Sequence, residues 1–117
     1  MKKIYYLSTC STCKRIMDEL GAALNDFVKQ DIKAQPLQVP EVDKMGELAG
    51  SFEALFSRRA QKYKSLGLAG HTLTESDYRS LILEEYTFLK RPVVIVDDKI
   101  FIGNSPSEIA SLKEALG

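Results

Sequence analysis

The stretch Lys2–Arg15, KKIYYLSTCSTCKR, decides the reading of this chain. Its first part, Lys2–Leu7, is apolar, β-branched and aromatic, the composition of a buried strand. Ser8, Thr9 and Ser11 then offer hydroxyls suited to a helix N-cap. Beyond them Ile16, Met17, Leu20, Ala23 and Leu24 recur at helical spacing, which predicts an amphipathic helix from about Thr12 to Leu24. At the join stand Cys10 and Cys13, the only two cysteines in the chain. Two cysteines so placed admit a structural bridge, part of a metal site, an inert buried pair or a working redox couple.

Outward from this stretch, DFVKQDI (Asp26–Ile32) alternates apolar and polar residues, as a half-buried second strand does. Pro40 with Glu41 and Asp43 suits the opening of a helix, because proline fits a first turn and acids favour the positive dipole end. From Val42 to about Tyr86 the pattern is helical in pieces, with breaks at Gly50, at GLAGHTL and at Thr74. RPVVIVDDKIFIGN reads as strand, Asp97-Asp98 turn and strand, and SPSEIASLKEALG closes with a helix carrying Ile109, Leu112 and Leu116. The order β-α-β, helical block, β-β-α predicts an α/β protein. The expected architecture is a thioredoxin-like fold with a mixed four-stranded sheet and a helical insertion over roughly 41–87. A length of 117 residues fits a single domain, 1–117.

Sixteen basic and sixteen acidic residues cancel, so net charge gives no argument for nucleic acid or an anionic membrane as a direct partner. No apolar run approaches the ~18–20 residues that span a bilayer, and MKKIYYLSTC is too short and polar for a signal peptide. The expectation is a cytoplasmic protein and, with no heptad pattern, a monomer. Structural disulfides are rare in that compartment, so the cysteines are expected to cycle rather than staple. A structural zinc ion wants four ligands, and the chain adds only His71 to its two cysteines. An inert buried pair sits poorly with the polar STCSTCKR.

The redox couple is the reading that the position favours. A thiolate at a helix N-terminus faces unpaired N–H groups and the positive dipole end, which lowers its pKa. The two-residue gap of C-x-x-C lets one sulfur reach the other. Lys14 and Arg15 add positive potential. Cys10 is expected to attack and Cys13, one turn into the helix, to resolve.

A second constellation is KRPVVIV. A proline just ahead of a strand in a thioredoxin-like fold predicts a cis Arg91–Pro92 bond facing the cysteines, with backbone exposed for substrate pairing. Arg91 would then stabilise the Cys10 thiolate or bind an oxyanion through its planar fork of donors. Ser11, Thr12 and Pro92 are the substrate-binding candidates nearest the pair. RRAQKYK (Arg58–Lys64) reads as a phosphate- or glutathione-facing patch or as the solvated face of a helix, with Arg58 and Arg59 its candidate substrate-binding members. His71 reads as a surface loop residue rather than a general base. Tyr5, Tyr6, Phe27, Phe52, Phe56 and Phe88 read as core. Nothing has nucleotide, flavin or metal-site spacing.

TCSTCKR after a first strand, LFSRRAQKYKSLGL in the middle, FLKRPVVIVDDKIFIGN and a short last helix together resemble the arsenate reductase (ArsC)/Spx/YffB family. The resemblance covers nearly the whole chain and is most specific at KRPVV. It implies a thioredoxin-like fold with a helical insertion, and a reactive cysteine that here is Cys10. In arsenate-reducing members it implies a single cysteine, electrons from glutathione and glutaredoxin, and an oxyanion held by three arginines. Arg91 matches the arginine before the proline. The middle arginine falls on Ser57, with Arg58 and Arg59 adjacent, and the one after the last hairpin's glycine falls on Asn104. Cys13 resembles the Spx-like branch, which carries C-x-x-C and a middle arginine matching Arg59. Spx itself acts by binding the RNA polymerase α subunit under redox control.

Three functions are thereby set up. The favoured one is a thiol–disulfide oxidoreductase acting on a small-molecule or protein disulfide. It would use no bound cofactor and would be recycled by glutathione, thioredoxin or glutaredoxin. The others are an arsenate reductase using Arg91 with Arg58 or Arg59, and a non-enzymatic redox-sensing regulator that binds RNA polymerase.

Overall fold

The computed structural model describes all 117 residues. The elements run β1 (Lys2–Tyr6), α1 (Ser11–Leu20), β2 (Val28–Asp31), α2 (Val39–Ala49), α3 (Gln61–Ser65), α4 (Glu75–Glu84), β3 (Val93–Val96), β4 (Lys99–Ile102) and α5 (Pro106–Leu116), joined in places by short 3-10 turns. They fall into two units: Met1–Pro36 with Arg91–Gly117, and Leu37–Lys90.

The first unit holds a mixed four-stranded sheet of order β2-β1-β3-β4. β1 runs parallel to β2 and antiparallel to β3, with Ile4 opposite Lys29 on one side and Val94 on the other. β3 and β4 form the expected hairpin, in which Asp97 takes a positive φ of 57°. The Asp97 N–H donates to the Met1 carbonyl, and its carboxylate pairs with the Met1 ammonium at 2.9 Å. Ile4 and Val94 pack with Ile16 and Leu20 of α1, Leu24, Phe27, and Leu112 of α5. Each such fully buried aliphatic or aromatic side chain contributes about 1.5–3 kcal/mol of transfer free energy. This is the thioredoxin-like α/β architecture expected from the element order.

Several local expectations are corrected. No hydroxyl caps α1: its N-cap is Cys10, and that position has no side-chain capping bond. α1 ends at Leu20 rather than Leu24, because Gly21 turns the chain at a φ of 48°, and Gly21–Leu24 continues as a 3-10 turn with Ala23 exposed. In β2 the buried side chain is polar Gln30, while Val28 is 59% exposed. β2 is an edge strand, and Gln30 satisfies its amide by donating to the Gln35 carbonyl at 3.0 Å.

The second unit is helical. α2 opens on a capping box, in which the Glu41 carboxylate accepts the Gln38 N–H at 3.0 Å, and it stops at Gly50 in the left-handed region. α4 opens on a second box: Thr74 N–H donates to Asp77 Oδ2 at 2.8 Å, and Asp77 N–H donates to Thr74 Oγ1 at 3.2 Å. Phe56 stacks on Phe88 with centroids 5.0 Å apart and also meets Tyr63 and Tyr78. Arg79 clasps Asp43 through two bonds of 2.7 and 3.2 Å. Of the aromatic residues expected in the core, Tyr5, Phe27, Phe56 and Phe88 are buried, whereas Tyr6 and Phe52 are partly exposed. No helix is long and apolar enough to cross a membrane.

Candidate functional site

The β1–α1 turn delivers Cys10 to the mouth of a helix. Its own N–H donates to the Leu7 carbonyl at 3.0 Å, and its carbonyl accepts from Lys14 at 3.2 Å, so the residue is fixed while its sulfur faces the first helical turn. An α-helix leaves its first N–H groups without intrahelical partners. Here the Thr12 and Cys13 N–H groups favour the Cys10 thiolate, although the sulfur closes no capping bond of full hydrogen-bond geometry.

Burial pushes the half-buried Cys10 thiol up. The nearby Cys13 backbone and thiol and the Thr12 backbone, with the charge of Arg91, outweigh it and leave the pKa below the ordinary thiol value. Cys13 has the opposite character. It is 0% exposed and continues the buried stripe of Ile16 and Leu20, so the polar STCSTCKR does reach the core through this one side chain. Burial pushes its thiol up to about 11; the Leu7 N–H opposes this, the negative charge on Cys10 adds to it, and Arg91 again opposes. The pair is thus split into an ionisable outer sulfur and a protonated inner one.

Arg91 and Pro92 begin the return of the chain to the sheet unit. The Arg91–Pro92 peptide is cis, as expected. The Pro92 carbonyl accepts from Gly103 N–H at 2.9 Å, and the Arg91 carbonyl accepts from Asn104 Nδ2 at 3.2 Å. Ser11 is exposed at the first helical position, and Thr12 is half-buried. The structure therefore brings Cys10, Cys13 and Arg91 into one electrostatic cluster, with Thr12 among its donors.

The middle-segment arginines are in the helical unit. Arg58 donates from Nη2 to Glu53 at 2.9 Å and to the Tyr78 hydroxyl at 2.9 Å, and its guanidinium lies over the Tyr78 ring. Arg59 is exposed, with its backbone N–H on Ser57 Oγ at 3.3 Å. His71 is exposed in a loop. The structure has no group of three or more His, Cys, Asp or Glu side chains placed to hold a metal ion.

Sequence reasoning missed two supporting residues. Asp31, at the end of β2, accepts the Ser8 N–H at 3.3 Å and the Ser8 hydroxyl, tying down the turn that carries Cys10. Asn104 stands out in the sequence only as a departure from an arginine. The available signals were an Asp closing an edge strand and an Asn following a hairpin glycine, both too common to single out.

A thioredoxin-like sheet with a cysteine pair at the start of α1 and a cis-proline ahead of β3 places the chain among the thioredoxin-like α/β proteins. Within that class the chain belongs to the ArsC family, whose model matches residues 5–112. It is 23% identical over 110 residues to the global transcriptional regulator Spx of Bacillus subtilis, covering 93% of this chain and 84% of that one. The arsenate reductase from Vibrio cholerae superposes with a TM-score of 0.73 at 20% identity, covering 94% of this chain and 95% of that one. An arsenate reductase (ArsC) related protein from Brucella melitensis gives a TM-score of 0.73 at 23% identity, covering 97% and 94% respectively. Likenesses at these identities establish the fold.

Proposed function

We propose that this chain is a thiol–disulfide oxidoreductase in which Cys10 is the nucleophile and Cys13 the resolving thiol. The observation that carries this reading is the asymmetry of the pair: Cys10 half-buried at the N-cap of α1 and Cys13 fully buried one turn in, with the pKa of the first lowered and of the second raised. The Cys10 thiolate attacks one sulfur of a substrate disulfide. A Cys10–substrate disulfide forms, the substrate S–S bond breaks, and the other substrate half leaves as a thiolate. That step removes the negative charge from Cys10, which is one of the causes holding Cys13 protonated. Cys13 is then easier to ionise when it is needed. It loses its proton to solvent and attacks the Cys10 sulfur, releasing the second substrate thiolate and leaving a Cys10–Cys13 disulfide. The substrate gains two electrons. A dithiol donor of the thioredoxin or glutaredoxin type, or glutathione, returns them to the protein.

In this reading Arg91 stabilises the thiolate, while Ser11, Thr12 and the backbone at Pro92 hold the substrate. The chain works as a cytoplasmic monomer. The test is trapping: Cys13→Ser should accumulate a stable mixed disulfide at Cys10 that wild type does not. A Cys10 that alkylates with an ordinary thiol pH profile would overturn the reading.

Arsenate reduction is less well supported, because Arg58 is engaged by Glu53 and Tyr78 and Asn104 stands where the resemblance sets an arginine. Supplied with glutathione and glutaredoxin, the protein is expected to reduce no arsenate. The likeness to Spx favours a second reading, a redox-sensing regulator that binds RNA polymerase through its α subunit and uses the same cysteine pair as its switch. Pull-down with the C-terminal domain of polymerase α, under oxidising and reducing conditions, separates the two. Binding that follows the redox state supports the regulator.

A further inference from the structure

The geometry points to Asn104 as a positioning residue that, through the Arg91 main chain, holds the Arg91 guanidinium at Cys10. The inference rests on the oxidoreductase reading above and assigns one of its supports. Arg91 begins the segment that enters β3, just after Lys90, whose N–H donates to the Leu55 carbonyl at 2.8 Å. Two further bonds hold the Arg91–Pro92 main chain from the far end of the hairpin. The Asn104 amide donates to the Arg91 carbonyl at 3.2 Å, and the Gly103 N–H donates to the Pro92 carbonyl at 2.9 Å. Gly103 adopts a φ of 85°, a backbone state open to glycine at little steric cost.

The obvious competing task for Asn104, starting α5, is already filled. Ser105 is the N-cap and accepts the Glu108 N–H at 3.2 Å, while the Glu108 carboxylate takes the Ile102 N–H at 2.8 Å. The Asn104 side chain takes no part in that cap. Its amide spans the 13 residues back to Arg91. The titratable and charged groups that act on Cys10 are Cys13 on α1 and Arg91 ahead of β3, so a displaced Arg91 removes the one cation of the cluster.

The experiment follows Cys10 alkylation by iodoacetamide against pH, read at Cys10 by mass spectrometry. It compares wild type, Asn104→Leu, Asn104→Ala, Arg91→Gln and the Asn104→Leu/Arg91→Gln double variant. Leu is close to Asn in shape but cannot donate, and Asn104 is exposed, so the fold should survive. Both Asn104 variants are expected to move the midpoint to higher pH and to slow alkylation at neutral pH by roughly two- to tenfold, the span of one net hydrogen bond. Arg91→Gln should shift the profile further, and adding Asn104→Leu to it should change nothing more. An unshifted profile in both Asn104 variants overturns the inference. So does an Asn104→Leu shift that persists in full when Arg91 is already Gln. If wild type itself shows an ordinary thiol profile, the oxidoreductase reading is what fails, and this result is distinct from the other two.

Discussion

A buried thiol ionises more readily only where donors and positive charge outweigh its lost hydration, and at Cys10 those are two backbone N–H groups, the Cys13 thiol and Arg91. Cys10→Ser should therefore abolish the fast phase of alkylation near pH 7, leaving only the slow reaction of buried Cys13. Cys13→Ser should keep reactivity at Cys10 but slow it severalfold, because Ser offers Cys10 a different donor geometry from that of the thiol. Mass-spectrometric alkylation rates read both outcomes. These residues were legible because their chemistry is rare: two cysteines in a chain, three apart, and one Arg-Pro ahead of a β-branched run. Asp31 and Asn104 were not, because a carboxylate on Ser8 and an amide on a carbonyl come from contacts between residues far apart in sequence. The burial of Cys13 was missed for a related reason. Ser11, Thr12, Lys14 and Arg15 make the segment look solvated, whereas helical geometry turns Cys13 alone onto the line of Ile16 and Leu20.

At the scale of elements, capping and packing set the costs. The Thr74–Asp77 box closes donors at the start of α4, and Thr74→Ala should lower stability by about 1 kcal/mol. Leu112 is 1% exposed in the core of the sheet unit, and Leu112→Ala should cost about 2–5 kcal/mol. In α2, a Cβ at Gly46 would meet the Phe52 ring at 2.5 Å, so Gly46→Ala forces the ring aside in spite of alanine's higher helix propensity. A loss of about 1–3 kcal/mol is expected there. Urea denaturation of the reduced protein measures all three. Elements with strong periodicity or punctuation were readable in advance: β1, the β3–β4 hairpin, α5, and the starts at Pro40 and Thr74. β2 was readable as a strand but not in its facing. The pattern of Asp26–Ile32 did not say which side chains face the core; in the sheet Gln30 is buried and Val28 is exposed.

At the scale of the whole molecule, titration couples to folding. The Asp31 carboxyl is held below its usual range chiefly by the Ser8 hydroxyl, and the Arg79 guanidinium does the same to Asp43. Their contribution is present above the unfolded carboxyl value of about 4 and is lost as pH falls through the folded one, so stability should decline below about pH 4. On the alkaline side the two thiols oppose each other. Cys10 ionises more readily in the folded chain, and its contribution grows as pH rises toward the unfolded thiol value of about 8.5. Cys13 is pushed up to about 11; its contribution is full below about 8.5 and is lost as pH climbs through the folded value. Denaturation midpoints should fall more steeply between about pH 9 and 11 in reduced wild type than in Cys13→Ala. The topology was legible in the sequence because element order fixes which strands can pair, while the sulfur–arginine cluster needed coordinates.

The sheet unit is assembled from both ends of the sequence, Met1–Pro36 and Arg91–Gly117, with Leu37–Lys90 between them. On the ribosome, synthesis runs from the N-terminus, so both cysteines leave the exit tunnel long before the arginine that tempers them. β1 must also wait for β3, its antiparallel neighbour, before the sheet can form. A nascent chain truncated before residue 91 would carry Cys10 and Cys13 without the cation that favours the thiolate in the folded protein. The cluster of Cys10, Cys13 and Arg91 is therefore complete only once residue 91 has been made.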